Sequence, residues 1–211
     1  MENFNSLYTW CITDGNAGNV NQAKGLAQIL GLDFKQKEIS LNFPWNKLPV
    51  GFIPINKYAF KNLDEFNLSS IPNIIITCGK RSAYISIYLK RKYPYIFNIH
   101  ILNPKIDKSY FDLIVTPSHD KLSGENILST EIALSHINES MINEEKLKFE
   151  KEFKSERRKI CTILIGGNSR NHKFEEKEAQ KLASKINNLA KNNKFKIIVL
   201  YSRRTSNKIK T

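Results

Sequence analysis

Three short glycine-bearing segments hold the residues best suited to chemistry. Asp14-Gly15-Asn16-Ala17-Gly18-Asn19, with Gln22 shortly after, sets a carboxylate beside flexible backbone. Gly79-Lys80-Arg81-Ser82 sets two cations between a glycine and a hydroxyl, and Gly166-Gly167-Asn168-Ser169 offers backbone N–H groups without Cβ obstruction. Farther on, Ser202-Arg203-Arg204-Thr205 places two guanidinium groups in tandem, in a chain with 7 Arg against 26 Lys. Loop amides, a helix N-terminus following the loop, and planar guanidinium groups all suit phosphate oxygens, so the Gly166 and Arg203 segments together read as a diphosphate seat. The plainer alternatives are a glycine turn closing a strand-to-helix corner and a solvated basic tail. Asp14 suits a general base at a strand end, or equally a turn aspartate bonded to its own backbone. Gly79–Ser82 suits an anion, or a helix start capped by Ser82 with two solvated charges.

Other candidates are weaker. His119 offers an imidazole with Asp120 beside it, but adjacent residues seldom face one another. Asn103 and Asp107 follow another apolar run and share a strand-end placement. His100 lies within an alternating strand, and His136 and His172 have no partner at useful spacing. Cys11, Cys78 and Cys161 stand far apart inside apolar runs and read as reduced, buried packing residues; no metal site is expected. Gly15 and Gly18 do not make the dinucleotide fingerprint, and Glu38, twenty positions after Gly18, lies inside a predicted strand rather than at its end. Neither a P-loop nor a nucleophile elbow is present.

The elements that must position these residues repeat one unit of apolar strand, glycine loop and helix. Leu7–Thr13 leads into the Asp14 loop and then into Ala23, Leu26, Ala27 and Leu30 on one helical face, with Gly31 at the helix end. Ile74–Cys78 leads through Gly79 to a helix from Ser82. Ile160–Ile165 leads through Gly166 to a helix marked by Ala179, Leu182, Ala183, Ile186, Leu189 and Ala190. Further strands are expected over Phe34–Leu41, Phe97–Leu102, Asp112–Thr116 and Phe195–Tyr201. Continuous apolar strands alternating with helices imply an α/β class with a parallel, Rossmann-like sheet covered on both faces. In such a sheet the ligand crevice lies beyond the carboxyl ends of the strands. The segment 138–159 is charge-dense and fits a connecting helix. The expected organisation is a first Rossmann-like domain over 1–140, a linker helix over 141–158 and a second Rossmann-like domain begun over 159–211. Two strands are too few to close an independent α/β layer, so this unit either packs as an appendage on the first domain or, the expectation taken here, is an incomplete second domain.

Composition narrows the partners. The 211 residues carry a net charge of +13. Residues 1–145 balance, with 14 Lys and Arg against 14 Asp and Glu, while residues 146–211 hold 19 against 6. A basic half attracts an anionic membrane surface or a phosphorylated ligand, although the Lys, Asn and Ile richness also fits an AT-rich genome. No stacking aromatics interleave the basic residues, so nucleic acid is not expected. No apolar run approaches the ~18 residues of a spanning helix. The amino terminus has no basic leader, and a cytoplasmic location is expected.

Taken in order, Trp10–Asn19 with Gln22, Cys78–Ser82, Asn103–Asp107, Phe111–Val115, His119-Asp120, Ile165–Gly167 and Ser202–Thr205 resemble the mitochondrial-fission "elongated mitochondria" family, nearly over the whole chain. Bacterial members of that family are described as glycosyltransferases. The resemblance implies a GT-B architecture with an acceptor domain, a nucleotide-sugar domain and a cleft between them. It implies that Gly166, Gly167, Asn168 and Ser169 line the donor diphosphate, with Ser202, Arg203, Arg204 and Thr205 near it. On the acceptor side it implies Asp14 and His119 as catalytic groups, accompanied by Gly15, Gly18, Asn19, Gln22, Gly79, Lys80, Arg81, Ser82, Asn103, Asp107 and Asp120. No cofactor or metal is implied, because loop amides and arginines would take the leaving diphosphate's charge. The partners implied are a nucleotide-sugar donor and an acceptor of unknown identity; a peripheral contact with an anionic membrane, or a protein partner, is what the basic carboxyl part would add. Family members continue beyond the Ser-Arg-Arg-Thr block, so the donor domain and its activity are expected to be incomplete here. Plant relatives recruit a membrane-fission protein, and a non-catalytic adaptor docking through the basic carboxyl part is the alternative.

Overall fold

The computed structural model describes residues 7–66, 70–168, 173–191 and 194–210. It divides into two compact units, Met1–Met141 and Ile142–Thr211. The first holds a six-stranded parallel sheet in the order β2-β1-β3-β4-β5-β6. Its strands are β1 (Thr9–Thr13), β2 (Phe34–Glu38), β3 (Ile74–Cys78), β4 (Phe97–Ile101), β5 (Leu113–Pro117) and β6 (Ile127–Thr130). This is the doubly wound α/β arrangement that continuous apolar strands demand, since β1 and β3 are almost wholly sealed from water.

The two faces of the sheet separate by the period-two alternation of strand side chains. Trp10, Ile12, Ile75 and Ile114 enter one core with Tyr84, Ile87 and Leu89 of α2 (Ser82–Lys92). Cys11, Ile76, Cys78, Ile99 and Val115 enter the other with Ala23, Leu26 and Ala27 of α1 (Ala17–Ile29). Leu30, expected on that helical face, is the C-cap of α1 and nearly half exposed. Between β4 and α2, Asn98 is fully buried. Its side chain donates to Ser86 Oγ and the Tyr110 carbonyl and accepts the Asp112 amide, while Asp112 pairs with Lys90 at 2.8 Å. Asp112, the polar residue of the 111–115 motif, therefore serves to fasten β4 and α2.

Two strand boundaries differ from expectation. The second strand stops at Glu38 rather than Leu41, because beyond the Ile39 amide, which still bonds to the Thr13 carbonyl, the chain turns and Leu41 bridges antiparallel to Phe60. An extra edge strand, β6, pairs with β5; its half-exposed Ile-Leu-Ser-Thr is too short and mixed to signal a strand.

In the second unit, β7 (Lys159–Ile165) and β8 (Phe195–Tyr201) pair in parallel from Lys159↔Phe195 to Ile165↔Tyr201. One helix, α4 (Glu176–Lys191), covers one face through Leu182, Ala183 and Ile186, beside Val199 and Tyr201. α3 (Glu139–Phe153) leads into this unit and buries no residue. A short α5 (Asn207–Lys210) follows β8. Cys161, expected to be buried, is only half-buried because a single helix shields this small sheet.

Candidate functional site

The strand order places the topological switch point between β1 and β3. The chain leaves β1 toward β2 on one side and returns to β3 on the other, so the connections after these strands diverge and open a crevice at their carboxyl ends. A cavity of about 290 Å³ lies at this rim, lined by Asp14 after β1, Glu38 at the end of β2, Arg81 after β3, and Ile39–Leu41, Asn46 and Lys61 from the β2–β3 connection. That volume is at the lower end for ligand pockets and suits a small polar molecule.

Each charged group there is set by backbone geometry. The register Thr13↔Glu38 brings Asp14 and Glu38 to adjacent strand ends. Gly15, with φ +75°, lets the Glu38 carboxylate close over it; a Cβ there would come within 2.6 Å of that carboxylate. Asp14 Oδ1 accepts the Asn16 amide at 3.3 Å and Asn19 Nδ2 at 2.8 Å. The turn reading of Asp14 holds at Oδ1, and among the described residues Oδ2 accepts no hydrogen bond. Arg81 Nη2 donates to the Asn46 carbonyl at 2.8 Å, tying the long connection to the rim. Among the described residues neither carboxylate forms an ion pair with Lys61 or Arg81. The cavity thus presents two carboxylates that can accept hydroxyl protons and two cations that can hold an anionic group.

Around it, other expected residues act as supports. Gly79 is buried with φ +99°, and a Cβ there would lie 2.4 Å from Asn19 Nδ2, so its bareness seats the Asn19 side chain that fixes Asp14. Ser82 is not the helix cap. Arg81 occupies that position without a capping bond, and Ser82, fully buried, donates to the carbonyls of Cys78 (2.6 Å) and Gly79 (2.8 Å), clamping the β3–α2 corner. Asn16 caps α1 by accepting the Gly18 amide, and Gln22 donates to the Gly18 carbonyl. Burial pushes the thiols of Cys11 and Cys78 up to about 12, with the Asp14 charge adding to the effect at Cys78. Lys80 is exposed at the same corner.

The remaining first-unit candidates do not line this cavity. His119 is exposed on the turn after β5, 4.0 Å from Asp120, which accepts from Thr116 Oγ1. Asn103 accepts the Lys105 amide in its own turn. Asp107 accepts the Ser109 amide, and that bond holds its carboxyl below the ordinary range. His100 is fully buried; its Nδ1 meets Thr77 Oγ1 at 2.8 Å, its ring packs on Phe111, and desolvation pushes its pKa down to about 3. It is a core residue.

Sequence reasoning missed Glu38, Lys61 and Asn46. Glu38 was set aside because the strand was drawn three residues too long. Asn46 and Lys61 sit in a connection without periodicity, and its unusual length is the signal available.

On the second unit, Gly166 follows β7 and Ser202 follows β8, so the paired segments share one carboxyl rim. Their glycines are unequal. A Cβ on Gly167 would fall 1.9 Å from the Arg204 carbonyl oxygen, whereas one on Gly166 would meet nothing. Thr205, nearly buried, donates to the carbonyls of Ile165 and Gly166, and the Arg204 amide bonds to Ser202 Oγ. Arg203 and Arg204 are exposed. The expected helix does not follow this loop directly, although its first residues line one pocket with Asn168. α4 begins only at Glu176, and its first turn carries Glu176 and Glu178, which oppose a bound anion. Asn168 Oδ1 accepts the Phe174 amide, and Ser169 lies outside the described residues. Among the described residues no group of His, Cys, Asp or Glu can hold a metal ion, and no helix is long and apolar enough to cross a membrane.

An uncharacterized protein of Rickettsia prowazekii (strain Madrid E), RP120, is 26% identical over 235 aligned positions, which cover 96% of this chain and 66% of the relative. The chain thus spans just under two thirds of the length of the curated relative it matches. The family model described as Mitochondrial fission ELM1 matches residues 17–211, and the chain belongs to that family.

Proposed function

We propose that the chain is the acceptor-side unit and the opening donor-side segment of a GT-B-type glycosyltransferase. The observation that carries this reading is the switch-point cavity, where Asp14, Glu38, Lys61 and Arg81 face one polar space at the carboxyl ends of adjacent strands. A sugar-sized acceptor engages the carboxylates through its hydroxyls. Asp14 takes the proton from the attacking hydroxyl, which bonds to the anomeric carbon as the bond to the donor phosphate breaks. The nucleoside diphosphate leaves with the electron pair of that bond; on the second unit, taken by itself, the exposed Arg203 and Arg204 and the open backbone at Gly166 suit a diphosphate's charge.

Calorimetric titration of the chain, and of a longer family member carrying the same motifs, with a panel of nucleotide-sugars tests this. Binding is expected, weakened about tenfold or more by Arg203→Ala with Arg204→Ala, the loss of charge-assisted hydrogen bonds. In the longer protein Asp14→Asn is expected to lower turnover about 10²-fold or more without loss of donor binding. If neither protein binds any nucleotide-sugar, the scaffold acts without catalysis, as an adaptor.

A further inference from the structure

The connection from Ile39 to Leu63 is built with two opposite characters. Inward, Leu41, Ile53, Ala59 and Phe60 are buried, and Trp45, Val50 and Ile55 pack on the same core; the Gly51 amide is fastened to Tyr84 Oη at 2.6 Å. These residues suffice to hold the segment down. Outward, it exposes Phe43 at 80%, Phe52 at 72%, Tyr58 at 66% and Leu48 at 37%, apolar side chains the core does not use. Asn42 Nδ2 bonds to the Tyr58 carbonyl, which sets Phe43 and Tyr58 on neighbouring stretches of chain. Lys47, Lys57 and Lys61 stand among these residues, all exposed, and from Ile39 to Leu63 there is no Asp or Glu.

We propose that this segment docks the first unit on a lipid bilayer bearing anionic headgroups, and that it, rather than the basic second unit, is the membrane-facing surface. Aromatic rings mixed with lysines match the boundary between acyl chains and anionic headgroups, the exposed Glu38, Asp64 and Glu65 standing just beyond the two ends of the segment. A protein partner fits less well, because lysine is depleted in protein interfaces. Asn46 and Lys61 belong both to this segment and to the cavity wall, so docking brings the cavity to the headgroup layer. The proposal stands on surface chemistry alone and does not depend on the transferase reading.

Co-sedimentation of the full chain with phosphatidylcholine vesicles, with and without phosphatidylglycerol, is the test. The chain is expected to pellet with the anionic vesicles. Phe43→Ser with Phe52→Ser is expected to weaken partition about tenfold or more. Lys47→Gln with Lys57→Gln should weaken it about fivefold per lysine, while Lys181→Gln with Lys185→Gln in α4 changes it by less than about twofold. An unaltered Phe43→Ser, Phe52→Ser chain, or loss of binding only with the α4 lysines, overturns the proposal. So does a concentration-dependent dimer abolished by the aromatic changes in a chain that ignores vesicles. Should the double variant fail to fold, Phe43→Trp decides: its added fluorescence is quenched by brominated lipids if the segment enters the bilayer, and unquenched emission refutes the docking.

Discussion

The two units carry the same strand, glycine loop and helix, yet they use the glycine differently. In the first unit Gly79 leaves room for the Asn19 side chain, which braces Asp14 at the edge of a cavity. In the second, Gly167 leaves room for the Arg204 backbone, and the turn closes on itself through Thr205. The sheets beneath differ as well. The first is sealed on both faces. The second has one helix on one face, while Ile160, Leu164 and Leu200, on alternate positions of the other, are exposed at 48%, 76% and 51%. A glycine at a strand end is therefore not a ligand site in itself; what fills the vacated space decides. A rim becomes a pocket where the sheet below is held by two layers and the connections diverge.

The largest expected effect tests that difference in support. Trp10 is fully buried, edge-on to Phe66 at 5.6 Å. Trp10→Ala is expected to cost about 3–5 kcal/mol. Leu164→Ala, on the uncovered face of β7 in the second unit, is expected to fall within about 0.5 kcal/mol. Chemical denaturation of the two variants measures both. Equal losses would mean that the second sheet is as well packed as the first, and would break the comparison.

A second test uses acid. His100 binds no proton in the folded first unit until pH falls to about 3, whereas the unfolded imidazole takes one from its ordinary value of 6.5. Between those values the unfolded state holds more protons, so stability rises with pH up to about 6.5 and is lost progressively below it. The expected loss at pH 5, relative to neutrality, is about 2 kcal/mol. Denaturation midpoints at pH 7 and 5 should show that drop in the parent chain, and His100→Gln should remove most of it. No buried histidine acts in this way among the described residues of the second unit.

Much of this was legible in the residues. Unbroken apolar runs such as Ile74–Cys78 could only be strands buried on both faces, and alternation with helices fixed the parallel α/β class. Asp14 and Arg81 were recognisable because strand ends carry the crevice in such sheets. What escaped notice depends on spatial neighbours. Glu38 becomes a rim residue only because the chain leaves the sheet there to pair Leu41 with Phe60, a contact across 19 positions. Ser82 has the type of a cap, but its hydroxyl is drawn inward by two carbonyls that only the folded corner brings near. The lag between Gly167 and α4 was invisible because helical periodicity marks the middle of α4, not its start.

The smallest expected effects separate space-making from ligand approach. Gly79→Ala forces a positive φ and crowds Asn19, an expected cost of about 1–3 kcal/mol, and Gly167→Ala must displace the Arg204 backbone at a comparable cost. Gly166 has open space and no positive φ, so Gly166→Ala should leave stability within about 0.5 kcal/mol. That neutrality makes it the sharper probe. Because the fold does not need this glycine, a fall in nucleotide-sugar affinity on Gly166→Ala, read by calorimetry beside an unchanged melting curve, would mean that a ligand approaches its backbone. Unchanged affinity in a protein that binds the nucleotide-sugar would leave the arginines as the anion-holding groups of the second unit and confine close approach to the first.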